Sequence, residues 1–347
     1  MTQAAALDRI YAPVREDLEA LERLFRAELS SEDAFIGELV THVLTTRGKM
    51  LRPALVCLSA KATGGGSAAR LGVAAAVELI HVASLIHDDV IDAADRRRGL
   101  ASVNAVWGNQ VAVLLGDYLF SKAFHILARL RADDVAAAMA AATVRMAQAE
   151  IKQIKYGNTA HTDEAVYFDI IDGKTAALTS AACRCGALTA GARAESAEAL
   201  GAFGLEWGMA FQITDDTLDV TASADHLGKP IGSDIQTGKV TLPVIYALRD
   251  APEPDGRRLR EILDADGAAG LGAINGDVGG TAARAAACGA APDEVQGILT
   301  RSGAIDRALA VARDRATRAA QALAGLPPSA ARDSLAALVE FVTVRTR

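Results

Sequence analysis

An all-α fold is the expectation from this 347-residue sequence, and three features set it. Alanine, the strongest helix former, makes up about a fifth of the chain, while aromatic residues, which favour strands, are only 4%. Apolar residues recur at helical spacing almost throughout, and runs of alternating polar and apolar residues are scarce. With 51% hydrophobic and 23% charged residues, a disordered chain is excluded. The length allows two domains. The uniform helical pattern predicts one, spanning 1–347: a large antiparallel bundle around a central cavity.

Taken in order, the periodicity predicts helices at 12–29, 32–46 and 50–63. The third ends at Thr63-Gly64-Gly65-Gly66, a turn that lacks the Lys-Ser/Thr of a phosphate loop. A long apolar helix at 67–92 and a short one at 102–107 come next. Helices at 109–129 and 133–156 follow, the second stopped by Tyr156-Gly157-Asn158. Those at 163–172, 174–191 and 195–221 precede a stretch from Asp225 to Gly238 that contains Pro230. The remainder reads as 239–249, 256–265, 292–323 and 328–345. Gly267 to Gly289 is rich in Gly and Ala without clear periodicity, and 264–292 has no assignable role.

The formal charge of −7 argues against nucleic-acid binding through a basic surface. Cys57, Cys183, Cys185 and Cys288 sit in apolar contexts with no CxxC, as in a reduced, cytoplasmic protein using cysteine as a small hydrophobe. Asp8, Glu16 and Asp17 stand early and no apolar run accompanies them, so no signal peptide is expected. The longest uncharged stretch, Gly99 to Gly116, is interrupted by Asn104, Gly108, Asn109 and Gln110. No stable membrane insertion is expected from it.

One short motif recurs. Asp88-Asp89-Val90-Ile91-Asp92 and Asp215-Asp216-Thr217-Leu218-Asp219 are two copies of DDxxD, each closing a long apolar helical run. On a helix, positions i and i+4 share a face and i+1 lies close, so each copy presents a carboxylate cluster. Such neighbours repel by about 3–4 kcal/mol per pair at an effective dielectric near 20. The cluster therefore raises its pKa values or recruits a cation. Hard oxygen donors with open positions suit Mg²⁺, which keeps water and takes phosphate oxygens as further ligands. One copy alone reads equally well as an exposed acidic helix end; two in apolar contexts read as metal clusters.

Basic residues lie at suggestive places around the two motifs. Lys49 and Arg52 stand one turn apart in Arg47-Gly48-Lys49-Met50-Leu51-Arg52-Pro53. Arg96-Arg97-Arg98-Gly99 directly follows the first cluster, and His81 lies two turns before Asp88. Lys174-Thr175 opens a predicted helix, Gln212 precedes Asp215 by a turn, and Lys229 and Lys239 bracket the loop after the second cluster.

In these pieces the chain resembles the trans-isoprenyl diphosphate synthases, most closely the bacterial long-chain octaprenyl and decaprenyl diphosphate synthases. The resemblance runs from about Arg47 to Arg347 and rests on GKMLRP, ELIHVASLIHDDVIDAADRRRG, GDYLFSKAF, AEIKQIKYG, DGKTAAL, FQITDDTLD and LGKPIGSDIQTGKVTLP. Arg47 departs from it, standing where the family usually has glycine. The resemblance implies the isoprenoid synthase fold and a homodimer. It implies that Lys49, Arg52, His81 and Arg98 bind the diphosphate of isopentenyl diphosphate. Arg97, Lys174, Thr175, Gln212, Lys229 and Lys239 would hold the allylic diphosphate. Asp88, Asp89, Asp92, Asp215, Asp216 and Asp219 would bind Mg²⁺, three ions per site, with Asp89 and Asp219 not necessarily direct ligands. The implied product feeds a quinone side chain.

Two further expectations concern the apolar product. The stretch 222–238, with Gly228-Lys229-Pro230, is the expected lid over a site that must exclude water. Ser84 and Ala83, four and five residues before Asp88, are small, which favours a deep channel and a long product. A geranylgeranyl diphosphate synthase remains the alternative with the same sites. A type I terpene cyclase fits less well, because the second DDxxD and the Lys49, Arg52 and His81 set have no place in it.

Overall fold

The structure is a computed structural model that describes residues 3–45, 48–65, 67–157, 162–221, 239–270 and 292–344, with the backbone alone for 264–270 and 292. Arg47, Lys229 and the expected lid at 222–238 lie outside the described residues, as do Cys288 and most of 264–292.

Among the described residues the chain is helical apart from one small hairpin, as the composition predicts. Helices α1 (Gln3–Tyr11), α2 (Arg15–Glu28), α3 (Ala34–Thr45), α4 (Leu51–Ala62) and α5 (Ala69–Ile91) come first. A two-stranded hairpin of β1 (Arg96–Arg97) and β2 (Leu100–Ala101) follows, then α6 (Val103–Trp107), α7 (Asn109–Arg129) and α8 (Asp133–Tyr156). Next come α9 (Glu164–Ile171), a π-helical turn (Asp172–Ala176), α10 (Ala177–Thr189) and α11 (Ala194–Thr221). The rest is α12 (Leu242–Asp250), α13 (Glu253–Gly270), α14 (Pro292–Arg301), α15 (Ala304–Ala322) and α16 (Ala330–Val344).

The chain divides into two compact units. The first comprises residues 1–144, 177–206 and 318–341, and the second 145–176, 207–317 and 342–347. The boundaries fall inside long helices such as α8 and α11, not in linkers.

In the first unit α5 is the centre, packed on α7, α4, α10 and α2. A helix apolar on every side belongs in a core, and Val73 to Val77, Ile80 and Ala83 are fully buried. Buried Asp17 of α2 is paired with Lys61 of α4 at 2.8 Å and Arg70 of α5 at 2.6 Å, which ties the N-terminal helices down. Lys61 also donates to the Pro13 carbonyl at 2.7 Å. In length and composition α5 and α7 could each cross a bilayer, but 67% of that window of α5 is buried in the protein, against 39% of α7. Burial accounts for the apolarity of α5. On α7, Val113, Leu114 and Phe124 stay exposed.

In the second unit α12 packs on α9, α13 and α14. Helix α9 starts where the Asp163 side chain accepts from the Val166 amide at 2.8 Å, a regular N-cap. Tyr246 of α12 donates to Glu164 of α9 at 2.7 Å, and Arg258 and Asp255 of α13 pair with Glu294 and Arg301 of α14, both at 2.8 Å.

Candidate functional site

The first acidic motif forms the last turn of α5, which Ala93, in the left-handed conformation, brings to a stop. The chain then turns back through the hairpin, whose two-residue loop is Arg98-Gly99. Both loop residues have positive φ, 51° and 81°, as a type I′ turn demands. Glycine takes that conformation freely; an arginine there is strained, and such strain persists only where neighbours impose it. Asn104 of α6 pins the junction, its amide donating to the Asp89 and Ala94 carbonyls at 3.3 and 3.1 Å.

This reversal folds Arg97 back onto Asp89. The Arg97 Nε donates to both Asp89 oxygens at 2.8 and 2.9 Å, and its Nη2 lies 2.6 Å from Oδ1. Burial raises the Asp89 pKa, Arg97 pulls it back down, and Asp88 and Asp92 push it up. Asp89 is buried, whereas Asp88 and Asp92 are half-buried and one turn apart.

His81 is half-buried two turns below Asp88. Desolvation, with the charges of Arg52, Arg98 and Arg97, holds its pKa well below the ordinary value. The shift favours the uncharged imidazole at neutral pH, with three guanidinium charges acting on it. The head of Arg98 lies over Gly48: a Cβ built on that glycine would come within 2.7 Å of the Arg98 Cζ. Partial burial lowers the Arg98 pKa, which the charge of Glu78 opposes. Lys49 is exposed and donates to Gln3 Oε1 at 3.1 Å, and the Tyr11 hydroxyl donates to the Lys49 carbonyl at 2.6 Å. The structure thus brings Gly48 to Arg52, His81, Arg97 and Arg98 together beside Asp88, Asp89 and Asp92.

The second motif lies in the last turns of α11, where Asp216 and Asp219 are buried and Asp215 is half-buried. Asp216 accepts from the Tyr167 hydroxyl at 2.7 Å and from the Gln212 amide at 2.8 Å. Thr175 donates to the Gln212 oxygen at 2.7 Å, so Thr175, Gln212, Asp216 and Tyr167 form one chain of hydrogen bonds. Lys174 does not open a helix, contrary to the expectation from sequence. It stands with Thr175 in the π-helical turn, an insertion that redirects side chains and recurs at functional sites. Gly173 makes room for that turn, since a Cβ there would meet the Ala149 Cβ at 2.7 Å. Lys174 pairs with Glu150 of α8 at 2.7 Å. Lys239 is half-buried just before α12, next to Val240, whose amide donates to the Gly157 carbonyl at 3.1 Å.

Tyr167, Glu150, Glu78 and Tyr11 were not foreseen from the sequence. A tyrosine or glutamate inside an apolar helical stretch carries no spacing signal, and each reaches its partner only through the fold. Ala83 is fully buried on α5, and the Ser84 hydroxyl donates to the His81 carbonyl at 2.8 Å.

Mg²⁺ is the ion that the resemblance implies for these carboxylates. Among the described residues no three His, Cys, Asp or Glu side chains converge into a closed metal cage. Asp89 and Asp216 are buried and engaged with protein donors, while Asp88, Asp92 and Asp215 are half-buried and so reach the surface of their motifs. A few carboxylate oxygens with other positions open fit Mg²⁺, which completes its shell with water and substrate phosphates. The residues fit the ion.

The polyprenyl synthetase family model matches residues 33–271. The chain is 33% identical to the octaprenyl diphosphate synthase of Haemophilus influenzae over 96% of its length and 95% of the relative's. It is 39% identical to a short chain isoprenyl diphosphate synthase of Methanothermobacter thermautotrophicus, over 88% of both chains. A crystal structure of polyprenyl synthase from Caulobacter crescentus, complexed with calcium and isoprenyl diphosphate, superposes with a TM-score of 0.86. It covers 98% of each chain at 32% identity. The all-α architecture is accordingly the isoprenoid synthase fold, and the chain belongs to the polyprenyl synthetase family of prenyltransferases.

Proposed function

We propose that the chain is a long-chain all-trans polyprenyl diphosphate synthase that adds isopentenyl diphosphate head-to-tail to an allylic diphosphate such as farnesyl diphosphate. The observation that carries this reading is the hairpin that folds Arg97 onto Asp89 and lays Arg98 over Gly48, beside the carboxylates of Asp88 and Asp92. Cationic side chains meet one diphosphate there, next to carboxylates suited to a metal-bound one.

In the reaction the allylic C–O bond breaks, the isopentenyl double bond attacks the allylic carbon, and a proton leaves C2. Asp88 and Asp92 of the first motif, and Asp215 of the second, would each hold Mg²⁺, three ions in all as the resemblance implies, and the metal would supply stabilisation of the charge on the departing diphosphate. Asp89 keeps Arg97 oriented, and the chain of Tyr167, Asp216, Gln212 and Thr175 holds the second motif in place. Lys49, Arg52, His81 and Arg98 serve the isopentenyl diphosphate; Arg97, Lys174, Thr175, Gln212, Lys229 and Lys239 serve the allylic one. No side chain is assigned the proton, which the departing diphosphate accepts.

Small, buried Ala83 and the likeness to an octaprenyl diphosphate synthase support a long product, in keeping with a quinone side chain. The short-chain relative favours a second reading, a geranylgeranyl diphosphate synthase with the same sites. The exposed apolar face of α7 supports a homodimer, and buried, free Cys57, Cys183 and Cys185 support action in the reducing cytoplasm. The whole chain acts as one catalytic domain.

Product analysis tests the reading: purified protein is given Mg²⁺, labelled isopentenyl diphosphate and farnesyl diphosphate. A ladder ending between octaprenyl and decaprenyl length is expected, and Ala83→Phe should shorten it. A stop at geranylgeranyl length selects the second reading. Absence of elongation overturns both.

A further inference from the structure

We propose that Tyr11 is a positioning residue for isopentenyl diphosphate, its hydroxyl fixing the main chain of Lys49 so that Lys49 and Arg52 address one diphosphate. This rests on the assignment of Lys49 made above. The segment Gly48 to Met50 lies outside helix and strand, and its last residue, Met50, takes the left-handed conformation at φ 54° just before α4. A non-glycine residue there costs energy and needs neighbours to hold it. Three residues on two sides hold the segment. From one side the Arg98 guanidinium packs on Gly48, where no larger residue fits unless Arg98 moves. From α1, Tyr11 grips the Lys49 carbonyl at 2.6 Å and Gln3 receives the Lys49 ammonium at 3.1 Å.

The grip is built to last across pH. Desolvation, reinforced by the negative charge of Glu78, drives the Tyr11 phenol far above its ordinary pKa, so it remains a donor throughout the working range. Glu78 is 3% exposed on α5, and its charge also raises the Arg98 pKa. One buried carboxylate thus acts electrostatically on both groups that clamp the loop. Helix α1 is itself anchored, because the turn that follows it accepts from Lys61 through the Pro13 carbonyl. It is also outside the region matched by the family model. The loop that carries Lys49 therefore takes its shape from an N-terminal helix as well as from the helices that bear the acidic motifs.

Steady-state kinetics of Tyr11→Phe, with the full chain and Mg²⁺, test this. The ring is kept and only the hydroxyl is lost. The KM for isopentenyl diphosphate should rise about three- to tenfold, the size of one net hydrogen bond, with kcat and the allylic KM within about twofold of the parent. Lys49→Ala is measured beside it. A raised isopentenyl KM in Lys49→Ala with none in Tyr11→Phe overturns the role of Tyr11 and leaves that of Lys49 standing. An unchanged isopentenyl KM in Lys49→Ala overturns the assignment of Lys49 and the proposal with it. A parallel rise in both KM values, or a fall in kcat alone, in Tyr11→Phe means a general loosening and also overturns it.

Discussion

Asp89 and Arg97 are the pair on which the first acidic motif depends. Removing one member of a fully buried pair costs about 3–5 kcal/mol, because the other is left charged without a partner. The Arg97 side chain is 26% exposed, so solvent screens part of this and Arg97→Ala should cost about 1–3 kcal/mol. Burial already raises the Asp89 pKa, and the loss of Arg97 raises it further. The penalty should therefore be largest at neutral pH and shrink as acid protonates Asp89, which denaturant midpoints across pH will register. His81 behaves in the opposite sense. Its folded pKa lies well below the ordinary value, so between the two values the unfolded chain binds the extra proton and stability falls as pH is lowered. Each pH unit in that window is worth up to about 1.4 kcal/mol. His81→Gln should flatten the slope below about pH 6.5; an unaltered slope would mean that the imidazole is not held neutral. The sequence made all of these residues legible except their pairings. DDxxD fixed which carboxylates cluster, but only the hairpin reversal puts Arg97 on the second of them.

Helix α7 carries a prediction of its own scale. It is apolar enough for a core, yet Leu114 is 67% exposed and Val113 40%. The proposed homodimer would cover this exposed apolar face. Leu114→Glu should leave the fold intact, since surface substitutions lie within about 0.5 kcal/mol, and, if the proposed homodimer uses this face, lower the mass in light scattering to that of a monomer. An unchanged mass would place the interface elsewhere. Elements with a sustained helical period were fully legible: 109–129 and 133–156 coincide with α7 and α8. Where the period is short or shared, the sequence misled. Helix α1 shows only Leu7 and Ile10 as buried apolar residues, too few for a pattern. The stretch 292–323 is periodic throughout but is broken at Gly303, whose φ of 68° ends α14 and lets α15 begin. The hairpin is too short to alternate, and its turn uses an arginine where turn chemistry leads one to look for asparagine or glycine. The π-helical turn leaves no trace in periodicity at all, because it adds a single residue to an otherwise helical run.

At the scale of the whole molecule the −7 charge and six motif aspartates set a condition on ligand binding. An anionic diphosphate approaching these carboxylates alone is repelled, and Mg²⁺ alone finds only a few outward oxygens and must keep most of its water. Each ligand supplies what the other lacks, so their binding should be mutually reinforcing. Mg²⁺ with inorganic diphosphate should raise the unfolding temperature by more than the two separate increments together. A ligand at a hundred times its Kd stabilises by about 2.7 kcal/mol, which is readily measured against the single-ligand controls. Replacing Asp88 and Asp92 together with Ala should abolish the excess, because the carboxylates proposed to accept the metal are gone. Lys49→Ala should retain most of it, because Lys49 is assigned to the isopentenyl diphosphate and not to the metal-bound one. Strictly additive increments in the parent protein would mean that the aspartates and the diphosphate do not share the ion, and the metal reading of both motifs would fall with that result.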